Sequence, residues 1–271
     1  MRTRVLTAGS VVLLLAGIAL AQFGGPRGPF HEYPNIQYDG QFTFVRLKYT
    51  HAPGGNWYGG WPAWGHGYPL AEQNLMRIMQ EVSYVNPHVD EINAITLDEP
   101  ALFHYPLAYI IEVDWWAMTD REAAALREYL QKGGFEIVDD FKPRRRGRFG
   151  GGLGGDLGGG YGTGWDVFEA AMRRVLPQGR FVDLDASHPI FHSFFEVDRL
   201  DIIPQAYIQG VPVFRGLFED NDPAKRLQMI VNYNTDVSQF WEWSGTGLRP
   251  IDDTNEAYKL GVNYIIYGMT H

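Results

Sequence analysis

Apolar and polar residues first alternate over residues 41–49, QFTFVRLKY, where Thr43, Val45, Leu47 and Tyr49 share one face. That two-residue period predicts a strand. Beyond residue 70 the period lengthens: Leu75, Ile78, Met79 and Val82 fall at i, i+3, i+4 and i+7, the stripe of an amphipathic helix. A short apolar run at residues 94–97 reads as a strand, and LAYIIEV at residues 107–113 is apolar almost throughout. A strand without a polar face is covered on both sides, as parallel sheets require.

Thr119-Asp120-Arg121-Glu122 has the spacing of a capping box, and Gly133-Gly134 stops the helix it opens. Leu126, Tyr129 and Leu130 give that helix its inward face, and residues 135–138, FEIV, re-enter the sheet at once. Residues 107–138 are thus one strand-helix-strand unit, whose crossover is expected to be right-handed. A third amphipathic helix is predicted over residues 166–176 through Phe168, Ala171, Met172 and Val175, with strands at 180–184 and 227–231. Asp253 and Glu256 are spaced as another capping box before a closing helix through Ala257, Leu260 and Tyr264. Its tail, NYIIYGM, fits a helix or a strand equally. Alternation of this kind predicts a doubly wound α/β layer structure.

Two stretches interrupt the alternation. Residues 51–68 set Trp57, Tyr58, Trp61, Trp64 and Tyr68 among glycines. Such rings either stack on sugar faces and peptide side chains or fold back as a small satellite core, and Trp241-Glu242-Trp243 could complete either arrangement. In residues 143–164, PRRRGR leads into a run in which eleven of the eighteen residues 147–164 are glycine. The run lacks the Gly-Lys-Ser/Thr ending of a phosphate loop and is expected to be a surface insertion.

The first 21 residues carry Arg2 and Arg4, an apolar stretch and Ala19-Leu20-Ala21, the pattern of a cleaved export signal. Residues 22–40 then read as a flexible tether and residues 41–271 as the domain, which is expected to be periplasmic or extracellular with no membrane span after cleavage. A net charge of -9 over 271 residues argues against nucleic acid as a partner and leaves a glycan or an envelope protein as the expected one. Cysteine is absent, so neither disulfides nor thiolate metal sites are available.

Four segments resemble the bacterial family called domain of unknown function 4159: FTFVRLKY, TDREAAALREYLQKGGFEIVDDF, LDASHPIF and NEAYKLGVNYIIYGMT. The resemblance implies a flavodoxin-like, class I glutamine-amidotransferase-like three-layer sandwich with a mostly parallel sheet, and it implies no activity. Amidotransferases of that fold set a cysteine on a strand-to-helix elbow. Here LAYIIEV runs into Asp114-Trp115-Trp116-Ala117-Met118, so glutamine hydrolysis through a thiol is excluded.

Ligands of open parallel sheets bind beyond the carboxyl ends of the strands. Those ends carry Tyr49-Thr50-His51, Asp114-Trp115-Trp116, Asp139-Asp140-Phe141 and Asn232-Tyr233-Asn234-Thr235-Asp236. The alternative is that each acid merely caps a helix or shapes a turn. Candidate catalytic residues are Asp114, Asp140 and His188. Candidate ligand-binding residues are His51, Trp57, Trp61, Trp64, Trp115, Trp116, Asn234 and Asp236. No metal or cofactor motif is present, and a divalent ion would have to draw on Asp139-Asp140 with His51, His188 or Asp236. In the Asp185-x-x-His188-Pro189 turn the carboxylate could orient the imidazole. Two functions remain open: a non-catalytic binding or scaffold module, and a hydrolase of glycan or peptide material using Asp114, Asp140 and a histidine.

Overall fold

The computed structural model describes residues 29–53, 55–56, 60–141, 164–203 and 211–271. Among the described residues there are seven strands, β1 (Val45–Lys48), β2 (Asn93–Thr96), β3 (Leu107–Ile111), β4 (Phe135–Phe141), β5 (Phe181–Asp183), β6 (Val213–Phe218) and β7 (Leu227–Tyr233). They form one sheet in the order β2-β1-β3-β4-β7-β6-β5. From β2 to β7 every pairing is parallel, whereas β6 runs antiparallel to both of its neighbours. The mostly parallel sheet expected from the unbroken apolar run of β3 is therefore present, and all five residues of that strand are buried.

The helices are α1 (Leu70–Val82), α2 (Asp120–Gln131), α3 (Gly164–Val175), α4 (Val237–Glu242) and α5 (Ile251–Thr270). Strand parity assigns them to faces. Tyr109 pairs with Ile137 and Ala108 with Glu136, so Tyr109, Phe135 and Asp139 share one face. There Tyr109 meets Trp241 of α4, and Phe135 meets Tyr267 of α5. α1, α4 and α5 pack on one another. On the opposite face α2 packs against α3. Both faces of the sheet are covered, which is why β3, LAYII, is apolar but for the Tyr109 hydroxyl.

The Thr119 capping box is formed: Thr119 accepts from the Glu122 amide while the Glu122 carboxylate accepts from Thr119 N. Gly133, with φ of 106°, takes the left-handed turn that ends α2. The second expected box is absent. Helix α5 begins after Pro250 without a side-chain cap, so Asp252 and Asp253 already lie in its first turn. NYIIYGM is helical and continues α5, with Asn263, Tyr264, Ile265 and Tyr267 buried. Strand β6 was not expected, since Arg215 and Gly216 interrupt its apolar pattern.

Residues 29–40, expected as tether, run along β2. Asn35 brackets Ala94, accepting from its amide and donating to its carbonyl, while Asn93 Oδ1 accepts from Ile36 N. These bonds occupy an edge strand that would otherwise be open to pairing. Phe30 lies edge-on to Trp61 and Trp64, each at 5.1 Å, and Trp64 and Tyr68 are buried. The described part of the aromatic loop is thus a satellite core. Trp57 and the glycine-rich stretch before Gly164 lie outside the described residues. Among the described residues no helix is long and apolar enough to cross a membrane.

Candidate functional site

Three strands end in left-handed backbone at residues other than glycine: Glu112 (φ 50°) after β3, Asp140 (φ 54°) in β4, and Asn234 (φ 61°) after β7. Each costs about 1 kcal/mol or more and persists only where surrounding contacts impose it, most often at functional sites. In β4 the register against β7 shifts between Val138 and Phe141. Such a bulge re-aims a side chain that strict alternation would send elsewhere. Asp140 is the residue turned in this way.

His66 reaches the same place from the aromatic loop. It closes the short turn Ala63–Gly65, and the buried Arg46 of β1 holds that turn. The Arg46 guanidinium donates to the carbonyls of Trp64 (2.8 Å) and His66 (3.2 Å) and through Nε to Glu72 of α1 (2.6 Å). Burial opposes the charge on Arg46, but Glu72, Tyr109 and Asp139 together hold its pKa above the usual guanidinium value. Gly67 follows with φ of 70°, and a Cβ there would lie 3.3 Å from Glu242 Oε2, so glycine lets the chain reverse after His66 without strain.

His66 Nδ1 lies 2.8 Å from Glu112 Oε1 and 3.6 Å from Asp140 Oδ2. Both carboxylates are buried and the imidazole is 22 % exposed. Burial works against a charge on His66, but hydrogen bonds to Asp140 and Glu112 and their negative charges hold its pKa well above the usual imidazole value. Tyr49 closes one side, its hydroxyl donating to the carbonyls of Ile111 (3.0 Å) and Glu112 (2.7 Å). Burial, and then the charges of Glu112, Asp114 and Asp140, push that phenol well above its ordinary range. Tyr49 also borders an open cavity of about 290 Å³ lined by Lys48, Thr50, Thr96, Asp98 and Thr119.

Asp139, facing the other way, is part of the scaffold. It accepts from Tyr109 Oη (2.7 Å), Asn232 Nδ2 (3.1 Å) and the amides of Val237 (3.2 Å) and Ser238 (2.9 Å). Asn232 Oδ1 in turn accepts from Tyr264 Oη at 2.9 Å. Burial raises the Asp139 carboxyl, against the pull of these hydrogen bonds.

Over residues 43–269 the chain matches the family described as Domain of unknown function (DUF4159). The protein belongs to the DUF4159 family. Among curated proteins none matches it in sequence.

Within this DUF4159 domain the expected site residues separate into two groups. Asp140 joins the cluster, and the strand-end segments around Tyr49, Trp116, Asp139 and Asn232 do meet: His51 bridges to Trp116, and Ala52 N donates to Trp115 O. Asp114 packs at the start of α3, where a Cβ on Gly164 would overlap its carboxylate. Asp236 caps α4 by accepting from Gln239 N at 3.0 Å. Asn234 donates to Val211 O, and Trp64 and Trp116 are buried while Trp61 and Trp115 are partly so. His188 sits near Phe218 and Tyr267. Phe218 pairs with Leu227 at the start of β7, so His188 is at the opposite edge of the sheet. Its ring accepts from Ile190 N, while the Asp185 carboxylate bonds Ser187 rather than the imidazole.

Sequence reasoning missed His66 and Glu112. The available signals were weak ones: a histidine between two glycines, and a glutamate interrupting an apolar strand end. A second group, His192, Glu196 and Asp198, also lies within 4.8 Å, but its two carboxylates are exposed.

Proposed function

We propose that this DUF4159 protein is an exported binding module that recognises glycan or peptide material of the cell envelope at the carboxyl edge of its sheet. The observation that carries this reading is the convergence of His66, Glu112 and Asp140 at left-handed strand ends. Strain at those positions is concentrated where ligands of parallel sheets bind. The fold assignment that goes with it is a flavodoxin-like, glutamine-amidotransferase-like three-layer sandwich. Its support is that the parallel strands, taken in chain order, run 2-1-3-4-5 across the sheet. The left-handed Glu112 stands at the strand-to-turn corner where enzymes built on a nucleophile elbow carry their nucleophile.

The likeness of the first 21 residues to a cleaved export signal supports the envelope location. A second reading, hydrolysis of the same material, is favoured by the 2.8 Å contact between His66 and Glu112, since a paired imidazole and carboxylate can move protons.

Binding of the mature protein to purified peptidoglycan and to soluble muropeptide fragments tests both readings. The expected result is saturable binding that falls at least about tenfold in Asp140→Asn and His66→Ala while melting is retained, a loss of about 1.4 kcal/mol. Equal binding by wild type and both variants would remove the site from consideration. Release of new reducing ends or amines would select the hydrolase.

A further inference from the structure

We infer that His66, Glu112 and Asp140 form a binding site for one divalent transition-metal ion, of the Zn²⁺ or Mn²⁺ class. One donor atom from each of the three residues lies within 4.8 Å of the other two. Metal bonds of about 2.0–2.2 Å place neighbouring ligands about 3.0 Å apart in an octahedral shell and about 3.4 Å apart in a tetrahedral one. The two separations from Nδ1, 2.8 and 3.6 Å, bracket that range, so an ion can enter with small side-chain adjustments.

The chemistry of the donors sets the preference. One imidazole and two carboxylates suit Zn²⁺ or Mn²⁺ better than the all-oxygen shells of Ca²⁺ and Mg²⁺. Two carboxylates and a neutral imidazole would also balance the ion's charge, which matters because Glu112 and Asp140 are buried.

The donors are positioned by the fold. Arg46 fixes the His66 backbone, Tyr49 fixes the Glu112 carbonyl, and the β4 bulge turns Asp140 toward both. Metal sites depend on such outer contacts, whose loss typically weakens binding about 10–100-fold.

This inference concerns the edge site proposed above but does not need an envelope ligand, so its test uses metal salts alone. Tag-free mature protein, stripped with chelator, is titrated calorimetrically with ZnCl2, MnCl2 and CaCl2. The expected result is one equivalent of Zn²⁺ or Mn²⁺ bound more tightly than Ca²⁺, with a rise in melting temperature reversed by chelator. His66→Gln, Glu112→Gln and Asp140→Asn are each expected to weaken binding at least about tenfold, and His192→Ala to leave it unchanged.

Absence of binding, or binding unaltered in all three variants, overturns the inference. Should a variant fail to fold, anomalous diffraction from Zn²⁺-soaked wild-type crystals decides. A peak between His66 and Asp140 supports the site, and a peak only at His192 and Glu196 overturns it. Peptidoglycan binding without metal binding would remove this inference and leave the envelope reading standing, and the converse result would do the reverse.

Discussion

The Tyr109 hydroxyl donates a 2.7 Å hydrogen bond to Oδ2 of Asp139, joining neighbouring strands β3 and β4 one residue before the chain turns at Asp140. The Arg46 guanidinium lies over the Tyr109 ring at 4.9 Å, and Asp139 passes the connection on to Asn232 and to α4. A buried polar chain therefore crosses β1, β3, β4 and β7 beneath the candidate site, and neighbouring aspartates have opposite duties.

Asp139→Asn replaces an acceptor of four hydrogen bonds with a group that must donate from one side. It is expected to cost about 2–3 kcal/mol, because buried donors are left facing an amide NH₂. Tyr109→Phe, which leaves one acceptor short, is expected to cost about 1–2 kcal/mol. Asp140→Asn is expected to change stability far less. Urea denaturation of the three variants checks this, and equal losses for Asp139→Asn and Asp140→Asn would contradict it.

Arg46 and Glu72 form an ion pair between β1 and α1 with both side chains fully buried. Removing one partner strands the other charge, so Arg46→Met or Glu72→Met is expected to cost about 3–5 kcal/mol. The double replacement is expected to recover much of that loss, since no charge is then left buried. A double-mutant cycle by chemical denaturation measures the coupling, and additive single losses would show that the pair is not one unit.

Glu136, on the face of β4 opposite Asp139, is fully buried, and among the described residues neither of its carboxylate oxygens has a hydrogen-bond partner. Burial raises its pKa from 4.5 to about 8. A carboxyl with a raised native pKa stabilises fully below its unfolded value, and that contribution is lost as pH climbs through the native one. Stability attributable to this group should therefore decline between about pH 4.5 and 8, by a total of about 5 kcal/mol. Glu136→Gln is expected to match wild type near pH 5 and to exceed it increasingly toward pH 8. Denaturation curves at three pH values test the sign, and a constant offset between the two proteins would refute it.

The chain contains no cysteine, so no thiol can form the acyl intermediate of glutamine hydrolysis. Purified protein is expected to release no ammonia from glutamine. Release that disappears on replacing Glu112 would overturn this and would point to a carboxylate-dependent route.

Local sequence determined a good part of this protein. The unbroken apolar run of β3 specified a strand covered on both faces, Thr119 and Glu122 specified where α2 begins, and Gly133 specified where it ends. Each of these depends on residues a few positions apart, where backbone period and capping chemistry act directly. The absence of a thiol was likewise plain. Asp140 could be proposed because its strand end was readable, but its partners could not.

His66 and Glu112 are 46 residues apart and meet only in the fold. Their meeting depends on Arg46 holding a loop turn and on a backbone corner at Glu112, and neither leaves a periodic trace in the chain. The same holds for β6, whose pattern is broken by Arg215 and Gly216 and whose place is fixed by pairing with β7. Sequence periodicity records which faces are buried. Tertiary packing alone decided which distant polar groups were brought face to face, because their energies arise only after the strands and loops have docked.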